Sequence, residues 1–134
     1  MANIKTTYLG LDLKSPVIVG SSPLTDNINS IQLMEKAGAG AVVLKSLFEE
    51  QIMMDVDALR VNNIRNSYSD TENYLQFFTK EKSVGDYLKL IKAAKEKTQI
   101  PIIASINCMS SGEWVNFAKK IEDAGADALE LNIF

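Results

Sequence analysis

The sequence predicts a parallel α/β fold assembled from repeated βαβ units, and two observations carry that prediction. The first is an internal repeat. PVIVGSS from Pro16, a polar gap and IQLMEKAGAGAVVLKS are matched by PIIASIN from Pro101, a polar gap and FAKKIEDAGADALELNI. Each copy reads strand, loop, helix, Ala-Gly-Ala turn, strand. The second observation is that the strands are short, mostly apolar and separated by helices, which is how strands buried on both faces of a parallel sheet are written.

The helices follow from periodicity and end signals. Trp114, Phe117, Ala118 and Ile121 fall at i, i+3, i+4 and i+7, one face of a helix. Ser110 and Glu113 have capping-box spacing before that face, and Gly125 and Gly38 can take the left-handed position that ends each repeat's helix. Another helix is expected from Ser83 to about Lys97, with Ser83 and Asp86 at cap spacing and Val84, Leu88 and Ile91 on one face. Strands are expected at Val17–Gly20, Ala41–Leu44, Ile102–Ile106 and Ala128–Ile133. Ahead of them, Ile4–Leu9 and Leu11–Leu13 flank Gly10 as a hairpin that would cap the N-terminal mouth of a barrel. Residues 47–82 read as a long insertion after the second strand, helical over Phe48–Leu59 and then polar with scattered aromatics, the pattern of an active-site cover or of a disordered segment.

Right-handed crossovers wind such units into either an open doubly wound sheet or a closed barrel. A dinucleotide-binding Rossmann unit would place G-x-G-x-x-G after the first strand, where Gly-Ser-Ser-Pro-Leu-Thr stands instead.

Composition bounds the function. With 134 residues, 46% hydrophobic and 23% charged, the chain can bury a sizeable core. A net charge of −3 supplies no basic stripe, so no nucleic acid and no membrane surface is expected as partner, and a small-molecule substrate is. The single cysteine, Cys108, cannot close an internal disulfide, and the N-terminus lacks the layout of a secretion signal; a reducing, cytoplasmic setting is expected. No histidine occurs, which excludes a Ser-His-Asp triad, a Cys-His dyad and a histidine-ligated metal within the chain. Lys, Asn, Ser or a cofactor must carry any chemistry.

Alternation along the strands separates their two walls. Leu129, Leu131 and Ile133 form a wall suited to packing under helices; Ala128, Glu130 and Asn132 form the other. Ala41, Val43 and Lys45 share a wall, as do Ile103, Ser105 and Asn107. The lumen-side walls therefore end in Lys45, Asn107 and Asn132, each at the C-terminal tip of its strand, where barrel active sites sit. Each residue alone has a plain structural role open to it, as a solvated strand end or a loop cap. Three strands delivering polar tips to one rim point to a ligand site. Glu130, deeper on the wall, is expected to pair with Lys45. One lysine and several amides, without histidine or metal cluster, suit a polar planar cofactor: reduction of a flavin builds negative charge beside N1 and O2 that a cation stabilises.

The series TTYLGLDLKSP from Thr6, Gly20-Ser21-Ser22-Pro23, Val43-Leu44-Lys45-Ser46, Ile103-Ala104-Ser105-Ile106 and Ala126-Asp127-Ala128-Leu129-Glu130-Leu131-Asn132 resembles class 1 dihydroorotate dehydrogenases, and equally the pyrimidine-reducing domain of dihydropyrimidine dehydrogenase. The resemblance covers the chain outside Phe48–Lys82. It implies a (β/α)8 TIM barrel holding FMN at its C-terminal rim, with residues 1–134 as the N-terminal half of a single barrel domain. It further implies that Gly20, Ser21, Lys45, Ser46, Asn107 and Asn132 contact FMN, and that Lys45, Asn73 and Asn132 face the substrate. The activity implied is FMN-dependent oxidation or reduction of a CH–CH bond in a dihydropyrimidine-like substrate, in pyrimidine metabolism. The family places serine and then a cysteine base after its Glu-Leu-Asn-Leu segment; here Asn132-Ile133-Phe134 puts phenylalanine at the serine position, and the base is expected beyond Phe134. A flavin-free phosphate-binding barrel synthase or lyase using Lys45, or a non-catalytic barrel-derived binding module, are the alternatives. Half a barrel leaves strand edges and an apolar lumen wall open, so the 134-residue chain is expected to be inactive alone and to form a homo-oligomer or to be a piece of a longer chain.

Overall fold

The computed structural model describes residues 4–48, 69–108 and 111–133, with only the backbone described for residues 69–79 and 111. Strands β1 (Thr6–Tyr8) and β2 (Leu11–Leu13) form the antiparallel hairpin expected around Gly10. A second, parallel sheet holds β3 (Ile18–Val19), β4 (Ala41–Val43), β5 (Leu47–Phe48), β6 (Ile102–Asn107) and β7 (Ala128–Leu131). The helices are α1 (Ile28–Lys36), α2 (Ser69–Lys97) and α3 (Ser111–Asp123), with a short 3-10 turn at Pro23–Thr25. This is the α/β architecture of a partial parallel barrel, and it reproduces the two βαβ units of the sequence repeat.

The repeat shows in the helix ends. Gly38 and Gly125 both have positive φ, 102° and 93°, and at each the following alanine N–H returns to a carbonyl of the helix. Asn27 caps α1, its side chain accepting the Ser30 N–H at 3.0 Å. Gly40 has a different reason to be glycine: a Cβ there would lie 1.9 Å from the Ser15 carbonyl oxygen, so the chain entering β4 passes directly over the chain leaving β2.

α2 differs from the expected helix. It begins at Ser69, not Ser83, so Ser83 lies within the helix instead of capping it. Residues 69–82 contain neither proline nor glycine and nothing there halts helical propagation, but their apolar residues keep no single face, which is why periodicity did not extend the helix that far. From Val84 onward the expected face is correct: Val84 and Ile91 are buried and Leu88 packs on the core. The expected Phe48–Leu59 helix and the Ser110 cap fall outside the described residues, apart from Phe48, which ends β5.

Strand β5 is a further difference. β4 and β5 pair with the same edge of β6, since β7 takes the other edge throughout. The register, however, slips: Val43 is opposite Ile103, whereas Leu47 is opposite Ile106. Residues 41–48 are therefore one strand carrying one extra residue, a bulge in a parallel ladder. Side chains record it. Val42, Leu44 and Leu47 pack on the helix-side core, so two residues, Lys45 and Ser46, stand between consecutive core positions where plain alternation allows one. Counted this way, the described residues form four parallel strands, in the order β3, β4/β5, β6, β7.

Two apolar layers sandwich the sheet. The larger, between sheet and helices, includes Ile31, Leu44, Ile91, Ile102, Ile106, Phe117 and Ile121. The smaller lies on the opposite face and unites Leu13 with Ala41, Val43 and Ile103. Leu13 belongs to β2, so the hairpin covers the lumen wall near the strand starts, as the capping expectation requires. The C-terminal ends are left for polar residues.

Candidate functional site

Four strand ends meet at the C-terminal edge of the sheet. There Ser21, Ser22, Pro23, Lys45, Ser46, Phe48, Glu130, Leu131 and Asn132 line an open cleft of about 620 Å³. Its volume is in the range of small-molecule sites. Of the residues singled out in the sequence, the structure brings Ser21, Lys45, Ser46 and Asn132 together in this cleft. Gly20 is the exposed residue before Ser21. Asn107 is buried and does not line it: its Nδ2 donates to the Asn132 carbonyl at 2.6 Å, tying the ends of β6 and β7 and holding the backbone at Asn132. Asn73 lies in α2, and its side chain is outside the described residues.

The floor of the cleft is a chain of hydroxyls that the sequence did not announce. Ser105 Oγ donates to Glu130 Oε1 at 2.6 Å; Ser105 and Ser46 hydroxyls are 2.6 Å apart; Ser46 and Ser21 hydroxyls are 3.1 Å apart. Each hydroxyl has one proton to give. Ser105 gives its proton to the carboxylate, so Ser46 must donate to Ser105, and Ser21 must donate to Ser46. Ser21 also accepts the Ser46 backbone N–H at 2.9 Å. Every proton in the chain thus points toward Glu130, and what Ser21 and Ser46 turn to the cleft is lone pairs. Beside them Lys45, exposed, is a donor only.

Glu130 is the corrected residue here. It was expected to pair with Lys45; its carboxylate instead takes the Ser105 hydroxyl. The bulge explains the change, because it seats Ser46, and not the lysine, against Ser105. Ser105 itself was legible on the lumen wall by alternation, but its buried hydroxyl had no signal of partnership in one sequence. Among the described residues no cluster of three or more His, Cys, Asp or Glu side chains could hold a metal ion, and no helix is long and apolar enough to cross a membrane. Cys108 is buried at the end of β6.

The fold is that of a partial parallel barrel, the class of scaffold whose functional sites lie at the C-terminal rim, where Lys45 and the serine-lined wall stand. No family model matches the chain. Curated relatives do. The chain is 28% identical to the catalytic subunit of dihydroorotate dehydrogenase B (NAD(+)) of Thermoplasma volcanium, over 99% of this chain and 42% of that protein. It is 26% identical to the same subunit of Thermoplasma acidophilum, again over 99% of this chain and 42% of that protein. The Methanosarcina acetivorans subunit is 28% identical over 92% of this chain and 38% of that protein. The resemblance seen in the motifs therefore holds: across nearly its whole length the chain is similar to the N-terminal part of dihydroorotate dehydrogenases. It spans about two-fifths of the length of the relatives it matches.

Proposed function

We propose that this chain forms the first half of the active-site rim of an FMN-dependent oxidoreductase acting on a CH–CH bond of a dihydropyrimidine-like substrate in pyrimidine metabolism. The observation that carries the proposal is the convergence of Lys45, Ser21, Ser46 and Asn132, from the C-terminal ends of three parallel strands, in one cleft. The donor set fits a flavin ring. Lys45 brings the cation that its pyrimidine edge calls for, the serines bring an acceptor for its ring N–H, and Asn132 brings an amide with both capacities. When bound, the flavin would supply hydride acceptance.

This chain's own residues do the rest by positioning. Lys45 would stabilise negative charge that develops at the ring edge of the bound flavin. Ser21 and Ser46, their protons committed inward, hold a ligand N–H at a fixed place and need no rearrangement to do so. Asn107 holds the end of β7 so that Asn132 stays at the rim. The base that removes the second proton is proposed to lie beyond Phe134, so the 134-residue chain alone should bind without turnover.

The test is titration of FMN into the protein, followed by flavin fluorescence. Saturable quenching is expected, with Lys45→Ala raising the apparent Kd about tenfold, equivalent to about 1.4 kcal/mol. Failure of the wild-type chain to quench flavin fluorescence at any concentration tried would end this reading.

A further inference from the structure

The bulge that builds the rim is held from behind. In the ladder between β4 and β6, Val42 N–H donates to the Pro101 carbonyl at 3.1 Å and Leu44 N–H to the Ile103 carbonyl at 2.8 Å. The next rung would carry Ser46 N–H to the Ser105 carbonyl. It is not made. Ser46 N–H turns to Ser21 Oγ at 2.9 Å. The Ser105 carbonyl, facing the same edge, is met one residue late by Leu47 N–H, as the Leu47–Ile106 register requires, and the Ser105 N–H is left without its strand partner.

A side chain fills the gap. The Tyr87 hydroxyl, from α2, donates to the Ser105 carbonyl at 3.1 Å and accepts the Ser105 N–H at 2.8 Å. One phenol oxygen thus takes the N–H that the bulge orphans and gives the carbonyl of the same residue a second donor. Tyr87 is 8% exposed and Ser105 fully buried, so water has no ready access to replace it. Beyond Tyr87 the ladder resumes, one residue out of step, at Leu47 and Ile106.

We propose that Tyr87 is a positioning residue for the rim: by occupying the missing rung it holds the register slip that turns both Lys45 and Ser46 to the cleft. Without the hydroxyl, the buried Ser105 N–H would lack a partner, and the strand would gain by returning to the regular register, which gives that N–H the Leu44 carbonyl and closes the rung between Ser46 and Ser105. Closing it takes Ser46 N–H from Ser21, pulls the two serine hydroxyls apart, and returns Ser46 toward the helix side that Leu47 now occupies. The lysine and the hydroxyl chain would lose their common wall. Burial holds the phenol protonated well above the ordinary tyrosine range, so the plug remains a hydrogen-bond donor at any pH where the protein works.

Tyr87→Phe removes one oxygen and keeps the ring. In a 15N-labelled protein the variant should move the amide signals of Leu44, Lys45, Ser46 and Ser105 while leaving those of β1, β2 and α1 in place. FMN should bind about tenfold more weakly; this arm rests on the proposed function. A variant that melts earlier but keeps the rim amides and the FMN affinity of the wild type marks a purely structural tyrosine and overturns the inference. If FMN binds neither protein, the proposed function fails, and the amide shifts alone decide the role of Tyr87. If the variant does not fold, the wild type still decides it. A phenol locked in the rung gives a slowly exchanging hydroxyl proton with Overhauser contacts to the Ser105 and Ser46 amides, and its absence overturns the inference.

Discussion

Tyr87 is a small case of a residue whose chemistry depends on where its last atom lands. Its ring shares the apolar face of α2 with Val84 and Ile91, and any burial argument from sequence would treat it as core. Its oxygen instead ends inside a β-ladder. Desolvation raises the phenol's pKa, with the nearby Glu130 charge adding in the same direction and the Ser105 hydrogen bond opposing. The neutral form is therefore favoured in the folded state more than in the unfolded one. Stability from this group is fully present below the ordinary tyrosine value of about 10 and is lost as pH rises above it, by about 1.4 kcal/mol per pH unit. Urea unfolding of wild type and Tyr87→Phe on both sides of that value should show a wild-type midpoint that falls more steeply than the variant's. Parallel curves would mean the phenol is no more buried than in the unfolded chain.

At the scale of elements, one carboxylate ties the second repeat to the helix that precedes it. Asp127, at the start of β7, accepts the Lys95 ammonium on both oxygens at 2.7 Å and the Ile102 N–H at 2.7 Å. It thereby pins the end of α2 to the beginning of β6. The ion pair is partly exposed and contributes little by itself. The backbone bond matters more, because Ile102 is fully buried and its N–H would have no partner if the carboxylate were removed. Asp127→Ala should cost about 2 kcal/mol, whereas Lys95→Ala should cost under about 1 kcal/mol, both read from chemical denaturation. Equal losses would assign the effect to the ion pair instead. Asp127 belongs to the Ala-Asp-Ala segment that motif comparison picks out, and its role here is architectural.

For the whole molecule, the outer strands set the behaviour of the chain as it stands. β3 and β7 flank the sheet, and apolar side chains near them are exposed: Val17 at 59%, Leu131 at 52% and Ile133 at 77%. Leu131 and Ile133 are the two positions of the helix-side wall of β7 that no helix covers, while Leu129 of the same wall packs on the core. A strand edge beside uncovered apolar side chains favours pairing with another chain. Sedimentation velocity should therefore show concentration-dependent self-association of the 134-residue protein. A single monomeric boundary at all concentrations would contradict it.

The sequence by itself determined the two βαβ repeats, the hairpin and the wall on which most strand residues stand, Ser46 excepted, because those follow from local periods, cap residues and the Ala-Gly-Ala turns. The lysine and the Asn132 tip at the rim were legible for the same reason. Tertiary structure decided what local patterns cannot encode. Whether Ser83 starts a helix or lies within one depends on the helical segment before it, which keeps no apolar face. Whether Glu130 meets Lys45 or Ser105, and whether Asn107 faces the cleft or ties two strands, depends on register between strands more than 20 residues apart in the chain. A one-residue slip changes every partner across a ladder while leaving composition and alternation almost untouched. Here the slip is fixed by a tyrosine oxygen arriving from a helix 18 residues upstream of the strand position it completes, and only the packed sheet brings the two together.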